Sequence, residues 1–180
     1  MTRPFAWESS LSTAVNDRVT KAYSWGTHDC ALAACDLALA ASGIDPGQWF
    51  RGRYTTPQGA LRSLRKFLSE VSPGDAEKLA RESSTARTAR LLELVAERIG
   101  TVFGWPSHPN INYAQRGDVV FVAHEVLAPL FSDDVKEIYS KLAPIGGCLG
   151  VVLGDKFVLA ASVGWRYFPM SLAARAWKVG

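Results

Sequence analysis

The sequence has few cysteines and few histidines, which limits the kinds of site it can form. There are three of each among 180 residues. An odd number of cysteines, without closely spaced pairs, predicts neither a disulfide framework nor a zinc site. We therefore expect no metal ion and no cofactor, and a chain that is made in the cytoplasm with reduced thiols.

Long apolar runs and a strong excess of charge are also missing. No run of about 18 apolar residues occurs, so we expect no membrane-spanning segment, and the first residues lack the apolar core of a signal peptide. The formal net charge is only +3, which argues against a nucleic-acid partner. The one loose basic cluster fits either a solvated helix face or an anion site; it comprises Arg51, Arg53, Arg62, Arg65 and Lys66.

The first half of the chain predicts helices. Apolar residues at every fourth position indicate an amphipathic helix from Trp7 to Lys21. A stretch rich in Ala and Leu follows Cys30 and predicts a buried helix. Thr56-Pro57 opens a third helix, which the turn residues 71–75 close. A fourth is predicted from Ser84 to Gly100.

The second half predicts short strands. Apolar runs over residues 117–123, 148–153 and 156–161 have the length and composition of strands, and Gly154-Asp155 is a hairpin signal. Residues 165–168 are a further candidate, and residues 174–179 predict a last strand or a short helix. Helices followed by antiparallel strands indicate an α+β fold, with N-terminal helices packed on a small C-terminal sheet. We expect a single domain over residues 1–180.

A long insertion, from His124 to Gly147, separates the first two predicted strands. A hairpin would need about two to five residues there. Within the insertion, Ser132–Leu142 has the pattern of a capped short helix. The insertion is more apolar than a free loop, so it either packs back on the sheet or docks on another protein.

A cysteine at the start of the second predicted helix is the main candidate for chemistry. Asp29 has the short carboxylate that caps a helix, and Cys30 follows it in the first turn. The free N–H groups and the dipole at a helix N-terminus favour a thiolate, which is how a cysteine nucleophile is built. The alternative is that Cys30 is a small buried residue. Cys35, further along the helix, is expected in the core.

Three motifs in this order resemble the NlpC family of papain-like cell-wall cysteine peptidases. They are Trp25-Gly26 to Asp29-Cys30, the strand that opens with Gly117-Asp118, and the strand and turn from Cys148 to Gly154. Residues Arg51–Tyr54 and Ala176–Gly180 resemble a phage-encoded branch of unknown function found among tail-assembly genes. The resemblance implies a papain-like, NlpC-type fold in which Cys30 is the nucleophile.

The resemblance also implies a catalytic base, and here the sequence departs from the family pattern. The family's base stands where this chain has Cys148, and the polar group that orients the base stands at about Leu159. A thiol does not exchange protons at pH 7 as an imidazole does. Either His28 or His124 is a candidate to replace the base, and His108 is the least suitable of the three histidines.

The thiols at positions 30 and 148 are also candidates for a structural link. In folds of this family the nucleophile and base positions face each other, so a Cys30–Cys148 disulfide or metal pair is conceivable. A metal site that adds His28 is a weaker alternative, because the ligand spacing is not a standard one. Reduced thiols in mutual contact are the simpler expectation.

Because two of the three catalytic positions are replaced, we expect a structural role. The chain would be a degenerate domain in a bacteriophage tail tip or tail assembly, located in the virion tail and in contact with other phage tail proteins. The alternative is an active cysteine peptidase or amidase that degrades peptidoglycan as the genome passes into the host cell. In that case Cys30 attacks the carbonyl and peptidoglycan is a further partner.

Overall fold

The structure, a computed structural model, describes residues 2–130 and 145–180, without the side chains of residues 84–86, 88 and 89. In these ranges six α-helices are packed with a five-stranded antiparallel sheet, which confirms the α+β class. The helices are α1 (Trp7–Asn16), α2 (Cys30–Ser42), α3 (Pro57–Val71), α4 (Pro73–Arg81), α5 (Ser84–Phe103) and α6 (His124–Leu127). The strands are β1 (Val119–Ala123), β2 (Gly147–Val152), β3 (Lys156–Ala160), β4 (Trp165–Pro169) and β5 (Arg175–Trp177).

The sheet has the strand order β4-β3-β2-β1-β5. The predicted hairpin joins β2 to β3, and Gly154 in its turn has a positive φ of 132°. The last segment forms a strand rather than a helix, and this strand pairs with β1. The first and last strands of the chain are therefore neighbours, while β4 and β5 form the two edges.

Three helix predictions differ from the structure. The first helix ends at Asn16 instead of Lys21. Pro73 does not close a helix but begins α4, because proline is tolerated in the first turn, where no intrahelical N–H bond is lost. The fourth predicted helix passes Gly100 and ends at Phe103. Gly100 is needed for packing, since a Cβ there would lie 2.9 Å from the carbonyl oxygen of Trp105.

Helix α2 is the centre of the fold. Nine of its 13 residues are buried, and it packs against α1, β2 and β3. Its one buried charge is Asp36, which forms ion pairs with Arg18 at 3.0 Å and with Arg51 at 2.8 Å. Arg51 also pairs with Asp45 at 2.7 Å. Arg51 therefore fastens the loop of residues 44–54 to α2, and it does not belong to a solvated helix face.

Only part of the predicted insertion is described. His124 begins α6, and a short 3-10 turn follows at Ala128–Leu130. Leu127 is buried, whereas Leu130 is 51% exposed. The predicted helix Ser132–Leu142 lies outside the described residues.

None of the helices in the described ranges has both the length and the apolar character needed to cross a bilayer.

Candidate functional site

The turn before α2 is built around a glycine. Gly26 has a φ of 76°, a left-handed conformation that glycine adopts without strain. A Cβ at this position would lie 1.8 Å from the carbonyl oxygen of Tyr54. The N–H of Gly52 donates a 2.8 Å hydrogen bond to the carbonyl oxygen of Gly26. These close contacts hold the turn against the 44–54 loop and fix the position at which α2 begins.

Asp29 caps α2, and its carboxylate accepts four hydrogen bonds in this position. Its carboxylate accepts hydrogen bonds from the N–H groups of Ala31 at 3.1 Å and Leu32 at 3.0 Å. It also accepts from the N–H of Gly26 at 2.9 Å and from the hydroxyl of Tyr54 at 2.8 Å. Burial raises the pKa of Asp29, although these four donors favour its charged form. The carboxylate thus shapes the turn and leaves Cys30 as the first residue of the helix.

The thiol of Cys30 meets the thiol of Cys148. Cys148 lies on β2 opposite Val122 of β1, and its side chain makes a hydrogen bond with the side chain of Cys30. Each of the two residues is 1% exposed, and neither is in a disulfide. The structure therefore brings the nucleophile candidate into contact, inside the core, with the residue at the position that the NlpC resemblance assigns to a base.

A tyrosine lies beside the thiol pair. The hydroxyl oxygen of Tyr23 is buried. Burial, with smaller effects from Cys30, Asp29 and Cys148, raises the pKa of Tyr23 far above its usual value. The phenol is therefore neutral across the physiological range. Its ring packs edge-on against Trp25, with the centroids 5.3 Å apart.

Cys148 is poorly suited to accept a proton. Burial and the hydrogen bond with Cys30 raise its pKa well above that of a free thiol, so it is protonated at neutral pH. The position that the resemblance assigns to the group orienting the base is also apolar. Leu159 is fully buried on β3, and its Cδ2 atom lies 2.7 Å from where a Cβ on Gly150 would be. Because Gly150 and Cys148 are two residues apart on β2, they share a face of the sheet, and Leu159 fills that face with a hydrocarbon side chain.

His28 is directed towards β4. Its ring is fully buried and packs edge-on against Trp165, with the centroids 5.8 Å apart. Neither ring nitrogen has a hydrogen-bond partner among the described residues. Burial lowers the pKa of His28 to about 4, with smaller effects from Lys21, Asp36 and Arg18. His28 is therefore a neutral core residue, and no hydrogen bond within the described ranges joins it to Cys30.

His124 lies at the end of β1. Its backbone N–H donates to the carbonyl oxygen of Gly146 at 3.1 Å, next to the last pair of the β1–β2 ladder, Ala123 with Gly147. Val122, the ladder partner of Cys148, lies two residues before His124. The ionisable neighbours that raise the pKa of Cys148 are Cys30 and Asp29.

His108 is bound to the aspartate of the second motif. Its Nε2 atom lies 2.8 Å from Oδ2 of Asp118, which is fully buried. The same carboxylate accepts from the N–H of Gln115 at 2.8 Å and from the N–H of Val179 at 3.1 Å. The Gly-Asp motif therefore anchors the C-terminal residues to β1, and His108 takes part in that anchor rather than in the thiol site.

The described residues contain no group of three or more His, Cys, Asp or Glu side chains arranged to hold a metal ion. In particular, His28 does not join the two thiols. The structure therefore does not form the metal site of Cys30, Cys148 and His28 that the sequence left open as an alternative.

The fold and the site together define an α+β domain with a buried thiol pair at the point where its central helix meets its sheet. The model of a family described as a domain of unknown function, DUF6950, matches residues 2–179. The chain belongs to this family. No curated protein and no solved structure matches it.

Two residues of the site were missed by the sequence interpretation. Tyr23 and Tyr54 contact the Cys30 turn from outside α2. Tyr23 has no periodic position or motif that singles it out, and the Arg51–Tyr54 motif gives no sign that its tyrosine binds Asp29. A sequence signal does exist for the Asp29 cap, since Asp directly precedes the Ala- and Leu-rich helix. No such local signal exists for a phenol that reaches a turn from another segment.

Proposed function

We propose that this chain is a non-catalytic, NlpC-like domain that serves as a structural component of a phage tail tip or tail assembly. The observation that carries the non-catalytic part is the contact of Cys30 with Cys148 in place of a histidine. A cysteine nucleophile needs a base that takes its proton and returns it to the leaving group. The buried, protonated Cys148 thiol does neither, and the buried ring of His28 faces Trp165.

The burial of the pair supports the same proposal. Both thiols are 1% exposed, whereas a catalytic sulfur has to reach a carbonyl carbon of its substrate. The polar groups around Cys30 are used internally: the Asp29 carboxylate caps the helix and binds Tyr54. A domain can keep such packing after its chemistry is lost, because a fold does not dictate a function.

The assignment to a phage tail rests on the resemblance of Arg51–Tyr54 and Ala176–Gly180 to a tail-associated branch. We expect the protein to be located in the virion tail, to be assembled in the host cytoplasm and to contact other tail proteins. Val126 and Leu130, in the described part of the insertion, are exposed apolar side chains, which supports a contact surface there. The finer fold assignment, a papain-like NlpC-type domain, is part of this proposal.

A digestion assay tests the catalytic alternative. Purified peptidoglycan is incubated with the wild-type protein, with Cys30→Ala and with Cys35→Ala, which replaces a buried cysteine outside the pair. An active cell-wall peptidase is the positive control. We expect the same background release of soluble muropeptides from all three samples. Release by the wild type and Cys35→Ala but not by Cys30→Ala would establish the peptidase and remove the non-catalytic proposal.

A complementation experiment tests the structural role. The coding sequence is deleted from the phage or prophage that carries it, and tails are counted by electron microscopy after wild-type or Cys30→Ala protein is supplied in trans. We expect the deletion to abolish complete tails and both proteins to restore them. Normal tails without the protein would contradict a structural role. Failure of a folded Cys30→Ala protein would show that the thiol itself is required.

A further inference from the structure

The thiol pair joins two elements that are remote in sequence. Cys30 is the first residue of α2, and Cys148 is the second residue of β2. The side chain of Cys148 has the side chain of Cys30 as a hydrogen-bond partner, and both residues are buried free thiols. A disulfide requires two cysteine side chains that face each other at short range, and the start of α2 and the start of β2 supply such a pair.

We propose that Cys30 and Cys148 form a reversible disulfide by exchange with a small-molecule disulfide such as oxidised glutathione. This inference goes beyond the structural role proposed above and does not depend on it. The bridge would tie the start of the central helix to the sheet. It would be open in a reducing compartment and closed in an oxidising one.

The exchange balances in two steps. The thiolate of Cys30 attacks a sulfur of oxidised glutathione. One glutathione thiolate leaves and takes up a proton, and a mixed disulfide remains on Cys30. The thiolate of Cys148 then attacks the Cys30 sulfur and expels the second glutathione. Two protein thiols lose two electrons and two protons, and one glutathione disulfide becomes two glutathione molecules.

Cys35 is the internal control. It is buried in the same helix, and the Cβ of Cys35 lies 3.1 Å from where a Cβ on Gly47 would be, on the side of the 44–54 loop. Its electrostatic neighbours are Arg51 and three carboxylates, Asp45, Asp29 and Asp36, with neither of the other two thiols among them. We therefore expect Cys30 to pair with Cys148 and Cys35 to stay reduced.

The test measures which thiols are lost in buffers that differ in the ratio of reduced to oxidised glutathione. The full-length protein is equilibrated either in its native state or during refolding from urea, so that burial of the pair does not limit access. Free thiols are then alkylated in denaturant, and chymotryptic peptides are mapped by mass spectrometry. Cleavage after Leu32 separates Cys30 from Cys35. We expect the wild type to lose two of its three thiols and to yield a Cys30–Cys148 linked peptide that dithiothreitol reverses.

Serine variants of the three cysteines identify which two thiols are bridged. Cys35→Ser should lose both of its remaining thiols, whereas Cys30→Ser and Cys148→Ser should form no internal bridge. The oxidised wild type should melt roughly 5–15 °C above the reduced form, because the bridge closes a long loop. Linkage in either sample supports the proposal. Three results would overturn the proposal: three free thiols in both samples at every glutathione ratio, glutathione adducts alone, or a bridge to Cys35. The wild-type measurement decides between these outcomes even if a serine variant does not fold.

Discussion

Arg3 and Asp118 form an ion pair in which Nη2 of the guanidinium lies 2.6 Å from Oδ1 of a fully buried carboxylate. The same guanidinium donates to the carbonyl oxygen of Val179 at 2.7 Å, and it stacks 4.1 Å from the ring centre of Trp7. Because His108 and two backbone N–H groups bind the same carboxylate, one buried side chain connects the N-terminal arm, β1 and the last residues of the chain.

Replacing this carboxylate should be the most damaging single substitution of a charged residue. Asp118→Ala leaves the guanidinium of Arg3 and two buried N–H groups without their acceptor, and we expect a loss of roughly 3–5 kcal/mol in the free energy of unfolding. Urea denaturation measures it. The matched control is Glu77→Ala, which removes an exposed pair with Arg81 at 3.9 Å and should change stability by less than about 0.5 kcal/mol. Equal effects of the two substitutions would contradict the role of Asp118.

A second prediction concerns the turn that positions Cys30. Gly26→Ala places a Cβ 1.8 Å from the carbonyl oxygen of Tyr54 at a φ of 76°, so it combines backbone strain with a clash. We expect a loss of more than about 2 kcal/mol. Gly52→Ala is the control, because its φ of 69° is similar but no atom lies within 4 Å of the added Cβ; strain alone should cost about 1 kcal/mol. Thermal or urea unfolding compares the two, and a smaller loss for Gly26→Ala than for Gly52→Ala would refute the clash.

A third prediction concerns acid. The pKa of His28 is about 4 in the folded protein and ordinarily 6.5, so below pH 6.5 the unfolded chain binds a proton that the folded chain does not. The stability contributed by neutral His28 is therefore complete above pH 6.5 and is lost as the pH falls towards 4, by up to about 3 kcal/mol.

His28→Leu isolates this effect. The leucine variant removes the titrating ring and two buried nitrogens without partners, so its stability should fall less steeply than that of the wild type between pH 6.5 and 4. Urea unfolding at intervals of half a pH unit measures both curves. Other groups titrate in both proteins and cancel in the difference. Parallel curves would show that His28 titrates at its ordinary pKa.

A fourth prediction concerns the loop of residues 44–54. Arg51→Ala removes the ion pairs with Asp36 and Asp45 and leaves the buried carboxylate of Asp36 with Arg18 alone. We expect a loss of roughly 1–3 kcal/mol and faster hydrogen exchange of the loop amides. Arg53→Ala is the control, since Arg53 is exposed and has no ion pair within the described ranges. Unchanged exchange in Arg51→Ala would mean that the loop is held by its aromatic side chains instead.

The features predicted from the sequence were those with local causes. The cap at Asp29 follows from a short carboxylate that directly precedes the first residue of the helix. The β2–β3 hairpin follows from two turn residues between apolar runs. Helix α4 was missed because Pro73-Gly74 was interpreted as an end, although proline also suits the beginning of a helix.

The arrangement of the site depended on contacts that no local pattern encodes. The direction of His28 is set by a left-handed glycine two residues earlier and by the indole of Trp165 on β4. The role of Arg51 depends on a buried aspartate in α2, which its position in a basic cluster did not reveal. Cys148 was selected through the resemblance, and the structure adds that its thiol is buried against Cys30.

The anchor at Asp118 also brings Arg3 and Gly180 side by side. A Cβ on Gly180 would lie 2.6 Å from the Cγ atom of Arg3, so a short peptide spans the distance between them. A circularly permuted version, joined there and reopened at the Gly154-Asp155 hairpin, keeps every strand of the sheet intact. The same proximity predicts efficient energy transfer between fluorophores attached at residues 3 and 180.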